Sequence, residues 1–317
     1  MLASQTVVLT DPDAFRAACP GARATLIVTG PGLFRAELTR IELERIVLLS
    51  CRESVPRIAH ITLPSAFACV AFPTRESKPV ILDGTNVQLG DVLFWGPGQR
   101  FHTRTTGAFD WGCILFKPKE VIRTYRANGA DLNLPESGWV ARPAKESRRR
   151  LLRLHRQADH AARTNPSLVC CKGPAGELER LMFEAAADCL AAGEERELRG
   201  SPRGHAEIMN RFEDILEANR DRRVSLSVAL AAMGVSGRTL RVCCQQYLGV
   251  SPHRYFRLRR LNLARHALLN AAPDSTVREI SSRYAFNEPG RFAVLYRLLF
   301  GESPSATLRR RPGAEIV

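Results

Sequence analysis

The chain has 317 residues, 45% of them hydrophobic, which is enough apolar material for two globular domains and excludes a disordered chain. Its formal net charge of +14 at pH 7 indicates a polyanionic partner, either nucleic acid or an anionic membrane surface. No uncharged apolar run approaches the ~20 residues of a membrane-spanning helix, and the first residues lack the pattern of a secretion signal. The nine cysteines have no C-x-x-C spacing and are expected to be buried apolar side chains. We therefore expect a cytoplasmic protein without a membrane partner.

The first part of the chain has the pattern of a β-rich domain. After a polar lead-in over residues 1–22, which we expect to be loosely packed, short β-branched and aromatic runs alternate with glycine and proline. Many short strands at nearly regular spacing predict a sandwich or barrel, and the segment Gly90–His102 resembles one corner of a cupin-type barrel. The predicted strands are Thr25–Thr29, Leu33–Arg40, Leu43–Ser50, Arg57–Leu63, Ala66–Phe72, Val80–Leu82, Asn86–Leu89, Val92–Trp95 and Trp111–Phe116.

A metal-dependent enzyme is not favoured by this region. Metal-binding cupins normally combine an H-x-H pair with an acidic residue and a further histidine, whereas His60 and His102 are far apart in the sequence. We therefore expect no catalytic residue, no metal and no cofactor. A barrel without a metal can still enclose a small-molecule pocket, which is typically apolar with a few polar groups. The candidates for its lining, which could equally form an ordinary core, are Trp95, Phe101, His102, Trp111 and Phe116.

Helical periodicity follows an irregular stretch over residues 118–140. Apolar residues recur at helical spacing from Lys145 to Arg163 and again from Ala175 to Ala192. The two helices could cover the barrel or pair with those of a second copy, and the second arrangement would make a homodimer. The polar, glycine-rich stretch Gly193–Gly204 is predicted to be a linker.

Two similar stretches follow each other in the last third of the chain. Each contains a short apolar-periodic segment, a tight break (Gly234 or Ala285), a second such segment and a Gly-x-Ser-Pro ending. This is the order of a helix-turn-helix motif, and finding it twice makes a plain helical bundle a poor explanation. A long helix over Pro252–Ala271 is predicted to join the two motifs. The predicted helix caps are Ser225, Ser236 and Asn287.

These stretches resemble the DNA-binding domain of AraC/XylS-type transcriptional regulators. The resemblance is carried by Gly234–Leu240, Leu248–Pro252, Arg259–Arg265 and Gly290–Arg310. It implies seven helices, with two recognition helices in adjacent major grooves, and a cupin-like sensor ahead of them. Ala285 departs from the family, which usually has a turn glycine there. The resemblance places DNA contacts on Ser236, Gly237, Arg238, Thr239, Arg241, Asn287, Glu288, Pro289, Gly290 and Arg291, and predicted exposure adds Gln245 and Arg297.

The sequence as a whole predicts an α+β fold: a β-rich, cupin-like barrel with following helices, then an all-α domain with two helix-turn-helix units. The predicted domains are a sensor over residues 1–140, a helical dimerisation or packing segment over 141–192, a linker over 193–204 and a DNA-binding domain over 205–317. We expect a sequence-specific transcriptional regulator, an activator that responds to a ligand. Its expected partners are double-stranded DNA, a small-molecule effector, RNA polymerase and a second copy of the chain. A cupin-type barrel enzyme and a non-specific architectural DNA binder are the alternatives.

Overall fold

The computed structural model describes residues 2–15, 22–76, 78–127, 138–191, 194–197, 203–220 and 225–310. The part up to residue 197, called the β-rich part below, contains two antiparallel sheets and the helices that follow them. Its strands are β1 (Ala3–Leu9), β2 (Arg23–Val28), β3 (Ala36–Glu42), β4 (Ile46–Glu53), β5 (Arg57–Thr62), β6 (Ala68–Pro73), β7 (Val80–Leu82), β8 (Thr85–Val87), β9 (Val92–Trp95), β10 (Arg100–Thr105), β11 (Phe109–Phe116), β12 (Trp139–Arg142) and β13 (Glu194–Glu197). Its helices are α1 (Pro118–Ala127), α2 (Lys145–Thr164), α3 (Pro166–Cys170) and α4 (Lys172–Ala191).

The two sheets are layers of a sandwich with an apolar interior. The larger sheet has the strand order β1-β3-β4-β11-β6-β9-β12-β13, and the smaller one has the order β2-β5-β10-β7-β8. Side chains from both sheets enter one hydrophobic cluster between them. The outer face of the larger sheet is covered by α2 and α4, which pack against each other and form a second cluster.

Strand β11 contributes side chains to both hydrophobic clusters, one on each face of the larger sheet. Trp111, Cys113 and Leu115 belong to the inner cluster, because alternate side chains of a strand point to opposite faces. On the outer face, the ring of Phe116 packs edge-on against Phe183 of α4, with 5.2 Å between centroids. Gly112 lies on the same outer face, where a Cβ would approach His155 Nε2 of α2 to 2.6 Å. The absent side chain therefore lets α2 pack directly on the sheet.

The lead-in and the stretch after β11 differ from the sequence-based expectation. Residues 3–9 form β1, which pairs with β3 in full register from Ala3 opposite Glu42 to Leu9 opposite Ala36. Residues 118–127, expected to be irregular, form α1. The first expectation was wrong because β1 gains its hydrogen bonds from a strand about 30 residues later. The second was wrong because it overlooked a ten-residue helix that begins at a proline, which is tolerated in the first turn.

The part from residue 203 onward, called the helical part below, consists of helices in the residues that the structure describes. Serine and threonine side chains cap several of them: Ser225 accepts a hydrogen bond from Val228 N, and Ser236 from Thr239 N. Asn287 was predicted to cap a helix, but the cap position is Glu288, whose side chain makes no capping bond. The helices are α5 (Arg203–Ala218), α6 (Leu226–Met233), α7 (Gly237–Leu248), α8 (Pro252–Leu269), α9 (Val277–Arg283), α10 (Pro289–Phe300) and α11 (Pro304–Arg309).

The α+β class, with a β-rich first part and a helical second part, is confirmed. Strand β13 lies inside the stretch predicted to be a linker and pairs with β12. No single helix among the described residues is both long and apolar enough to cross a membrane. The bent pair α6 and α7, at 100° to each other, meets the length and composition criteria only when the two are joined.

The two parts are held together by polar contacts as well as by a shared apolar cluster. Asn262 of α8 accepts a hydrogen bond from Val28 N (3.0 Å) and donates one to Val28 O (3.1 Å), as if it extended the edge of β2. Arg100 of β10 makes a two-pronged ion pair with Asp214 of α5, at 2.7 and 2.8 Å. These bonds fix the smaller sheet against the helical part.

Candidate nucleic-acid interface

Two helix-turn-helix units repeat within the helical part. Helices α7 and α10 have the same length of 12 residues, and each ends at a glycine with left-handed backbone. Gly249 corresponds to Gly301, and the serine that caps the next helix is Ser251 in one copy and Ser303 in the other. The corresponding glycines, and likewise the corresponding serines, are 52 residues apart in the sequence. The internal repeat inferred from the sequence is thus a structural repeat as well.

The tight turn before each recognition helix requires a positive φ. Gly234, at the end of α6, has φ 66°, which glycine adopts without penalty. Ala285, in the corresponding turn after α9, has φ 62°, and a Cβ makes that conformation costly by roughly 1–2 kcal/mol. The second turn therefore has the same shape as the first at a higher conformational cost.

Helix α8 connects the two units and is itself anchored to the second. It spans 18 residues, or about 27 Å at 1.5 Å per residue. Its buried Arg265 forms an ion pair with Glu302 at 2.6 Å and lies over the Phe300 ring at 4.9 Å. Arg260 lies over the Phe286 ring at 5.2 Å. These contacts join α8 to both ends of the α10 region, so that the second unit is attached to a long helix.

Each recognition helix leaves one side exposed. On α7 this side carries Arg238, Arg241 and Gln245, whose side chains provide donors for phosphates and base edges. On α10 it carries Arg291 and Arg297, with Glu288 4.0 Å from Arg291. The opposite sides enter the core through residues such as Leu240 and Phe292. The arrangement can present two cationic helices to a polyanion.

The predicted DNA-contact residues all lie on or next to these exposed sides. Thr239 is half-buried, and its hydroxyl lies 2.8 Å from that of Ser236, which also caps α7. These two hydroxyls are partly engaged within the protein. The exposed ones are Ser236, Gly237, Arg238, Arg241, Gln245, Asn287, Glu288, Pro289, Gly290, Arg291 and Arg297.

A second candidate site is a cavity of about 110 Å³ between the two sheets. Its walls are almost entirely apolar and include three of the predicted lining residues, Trp95, Phe101 and Trp111. The polar groups at its edge are already paired: Glu53 accepts hydrogen bonds from Trp111 Nε1 (2.6 Å) and from Arg57 Nε (2.7 Å). The cavity therefore suits a ligand with an apolar body.

Two of the predicted lining residues lie elsewhere. Phe116 is on the outer face of β11, and His102 is on the face of β10 that contacts the helical part. The prediction was wrong for both because it placed neighbouring aromatic residues in one pocket without fixing the face of each strand.

His102 instead belongs to a buried group of ionisable side chains, here named the junction cluster: His60, His102, Glu213, Tyr255 and Arg259. His60 and His102 are opposite each other on β5 and β10, and their rings stack with 4.6 Å between centroids. Glu213 of α5 lies 3.5 Å from His102 Nε2. It also accepts a hydrogen bond from the Tyr255 hydroxyl at 2.5 Å and lies 3.3 Å from Arg259.

The charges of the junction cluster shift the pKa values of its members. Burial alone would lower the pKa of His102, but Asp83 and Glu213 outweigh burial and raise it to about 9. Burial, and then the charge on His102, lower the pKa of His60 to about 4. Burial would raise the pKa of Glu213, but His102 and Arg259 lower it to about 2. The stable state near neutral pH is therefore a protonated His102 between a neutral His60 and an ionised Glu213.

Sequence reasoning did not find this cluster. Glu213 is 111 residues from His102, and no local spacing connects a glutamate on an amphipathic helix with a histidine on a strand. The only local signal is an acidic residue at Glu213 among the apolar residues of α5, between the buried Phe212 and Leu216.

The repeated units, with their exposed basic helices, define a double helix-turn-helix protein. Residues 230–310 match the family model described as a helix-turn-helix domain. Over 100 residues, the chain is 41% identical to a probable thc operon regulatory protein of Rhodococcus erythropolis, covering 31% of this chain and 30% of that protein. Over 104 residues it is 36% identical to XylDLEGF operon transcriptional activator 1 of Pseudomonas putida, covering 32% and 31%.

The crystal structure of the AraC-like transcriptional activator CuxR aligns with 82% of this chain and 94% of its own, at 15% identity and a TM-score of 0.40. The chain spans about a third of the length of the two curated relatives described above. The similarity to these two relatives is confined to about 100 residues, and the helix-turn-helix match covers residues 230–310.

Proposed function

We propose that the chain is a sequence-specific DNA-binding transcriptional regulator. The observation that carries the proposal is the structural repeat of two 12-residue helices, each ending at a left-handed glycine, whose exposed sides bear arginines. Two such helices joined by α8 suit successive major grooves of one DNA duplex, which recur about every 34 Å. The sequence similarity to operon regulators in the same region supports the same function.

The test is selection of bound DNA from a random pool by the full chain. Enrichment of one sequence is expected, and recovery of unselected DNA would favour the non-specific architectural alternative. Arg238→Ala should weaken binding to the selected sequence by about 1–3 kcal/mol if it contacts a base edge. Arg241→Ala should lower the salt dependence by about one phosphate contact. Arg149→Ala, an exposed arginine on α2, removes the same charge away from the interface and should leave both quantities unchanged.

The cavity is proposed to hold an effector that controls DNA binding. Strand β10 supports a coupling between the cavity and the first recognition helix, because one of its faces lines the cavity and the other contacts the helical part. Phe101 and Thr103 line the cavity, while His102 packs edge-on against Tyr247 near the end of α7, at 5.7 Å. Arg104 packs so closely against Gly249 that a Cβ there would lie 1.2 Å from Arg104 Nη1. A ligand that moves β10 would therefore move the end of the first recognition helix.

The coupling requires that the ligand bind the protein more tightly when β10 is displaced than when it is not.

We propose that the regulator activates transcription through contact with RNA polymerase, since the Pseudomonas putida relatives are named activators. Pairing of α2 and α4 with those of a second copy is the proposed route to a homodimer.

A further inference from the structure

An exposed valine lies at the same position of each recognition helix. Val242 is the sixth residue of α7, and Val294 is the sixth residue of α10. Their exposures are 50% and 60%, and neither belongs to the two apolar clusters of the described residues. The same exposed residue thus occupies the same position in both copies of the repeat.

The rest of the exposed side differs between the copies. Position by position, Arg238 corresponds to Gly290, Arg241 to Ala293, and Gln245 to Arg297. Valine is a poor choice for a solvated helix position, because its β-branch restricts the side chain and water solvates it badly. Neither helix stability nor core packing therefore explains the two valines, and a partner that covers them would.

The surroundings of Val294 indicate what that partner is. Arg291 and Arg297 flank it, three residues before and three residues after, on the same side of α10. Leu298, one turn after Val294, is 67% exposed and extends the apolar strip. On α7 the equivalent of Leu298 is Gln246, whose side chain packs against Gly84 of the β-rich part. A narrow apolar strip between two cations matches a nucleic-acid groove, where an apolar group lies between two lines of phosphates.

We propose that Val242 and Val294 each contact the C5 methyl group of a thymine in the major groove. This inference rests on the proposed DNA-binding function and names residues that determine sequence preference. The thymine methyl is the apolar group that base pairs present in the major groove, and small apolar side chains recognise it. Leu298 extends the apolar contact made by Val294 toward the neighbouring base pair. The bound sequence then contains thymines in two regions about 10–10.5 base pairs apart.

The experiment uses the full chain and the DNA sequence that it enriches from a random pool. Each thymine is replaced in turn by deoxyuridine, which removes the methyl group and leaves the base pair intact. Affinities are measured by fluorescence anisotropy at one fixed salt concentration. Wild-type protein should bind about fourfold more weakly when a contacted methyl is removed, the equivalent of ~0.8 kcal/mol for one buried methyl-sized group.

Two protein variants localise the effect. Val294→Ala should bind the unmodified DNA about fourfold more weakly and should lose sensitivity to deoxyuridine in one region only. Val242→Ala should do the same in the other region. Val228→Ala is the matched control, because Val228 is 58% exposed but lies on α6 rather than on a recognition helix. It should retain wild-type sensitivity at every thymine. All three side chains are exposed, so the folds are expected to persist, which circular dichroism checks.

The possible results separate the inference from the proposed function. Specific binding that is insensitive to every deoxyuridine, or valine variants that keep full sensitivity, overturns the methyl contacts and leaves the regulator proposal intact. Apolar contact with a protein instead would give that same insensitivity. A pool from which no sequence is enriched overturns both proposals.

Discussion

The junction cluster predicts a stability maximum near pH 6.5, controlled by two histidines of opposite behaviour. His102 has a folded-state pKa of about 9, above the value of 6.5 for an unperturbed histidine. Its stabilising contribution is therefore complete below pH 6.5 and is lost as the pH rises through 9. His60, with a folded-state pKa of about 4, has the opposite effect. It must stay neutral in the folded state, so stability is lost as the pH falls from 6.5 toward 4.

The perturbation is His102→Gln, which removes the proton and retains a polar side chain of similar length. The rise from 6.5 to about 9 corresponds to on the order of 3 kcal/mol, at 1.36 kcal/mol per pKa unit. Wild-type protein should lose about that much unfolding free energy between pH 6.5 and 9.5. The groups that face His102 are His60 from β5, Asp83 after β7 and Glu213 from α5. His60 and Glu213, with pKa values of about 4 and about 2, do not titrate in that range.

The assay is urea unfolding at constant ionic strength, followed by tryptophan fluorescence, at a series of pH values from 6.5 to 9.5. His102→Gln should be less stable than wild type at pH 6.5 and should lose about 3 kcal/mol less than wild type from there to pH 9.5. His160→Gln, an exposed histidine on α2, is the control and should follow the wild-type curve. If His102→Gln loses as much stability between pH 6.5 and 9.5 as wild type does, the charge assignment of the junction cluster is wrong.

Two other predictions concern the turn of the second unit and the cavity. Ala285→Gly should raise the unfolding free energy by about 1 kcal/mol, because it relieves a positive φ at a non-glycine residue. Gly234→Ala should lower the unfolding free energy by a similar amount. If denaturant titrations show that both substitutions leave the unfolding free energy almost unchanged, the turn geometry is wrong. Ala71→Phe should fill much of the 110 Å³ cavity and should therefore abolish binding of an apolar fluorescent dye. Undiminished dye binding by Ala71→Phe would show that the dye binds elsewhere.

Local sequence patterns predicted most of the strands and helices, because the apolar spacing and the turn residues that define them lie within a few positions of each other. Val80–Leu82 and Val92–Trp95 are bounded by turn residues and have the predicted limits. The repeat of Gly-x-Ser-Pro endings predicted both recognition helices, because a left-handed glycine and a serine cap are local requirements of a helix end and a helix start. These features depend on neighbours in the sequence and are therefore visible in it.

What the sequence could not show are the contacts that depend on register and on distant residues. The face on which Phe116 lies follows from how β11 pairs with β4 and β6, and a shift of one residue would reverse it. The partner of His102 is on a helix of the other part of the chain.

The proposed function requires that two helices of one chain contact two turns of one DNA duplex. Hydroxyl-radical footprinting of the full chain on its selected sequence tests this most directly. We expect two protected regions on the same face of the duplex, about 10–10.5 base pairs apart. Arg238→Ala should weaken protection in one region, and Arg291→Ala should weaken it in the other. A single protected region, or uniform protection without sequence preference, would contradict the claim.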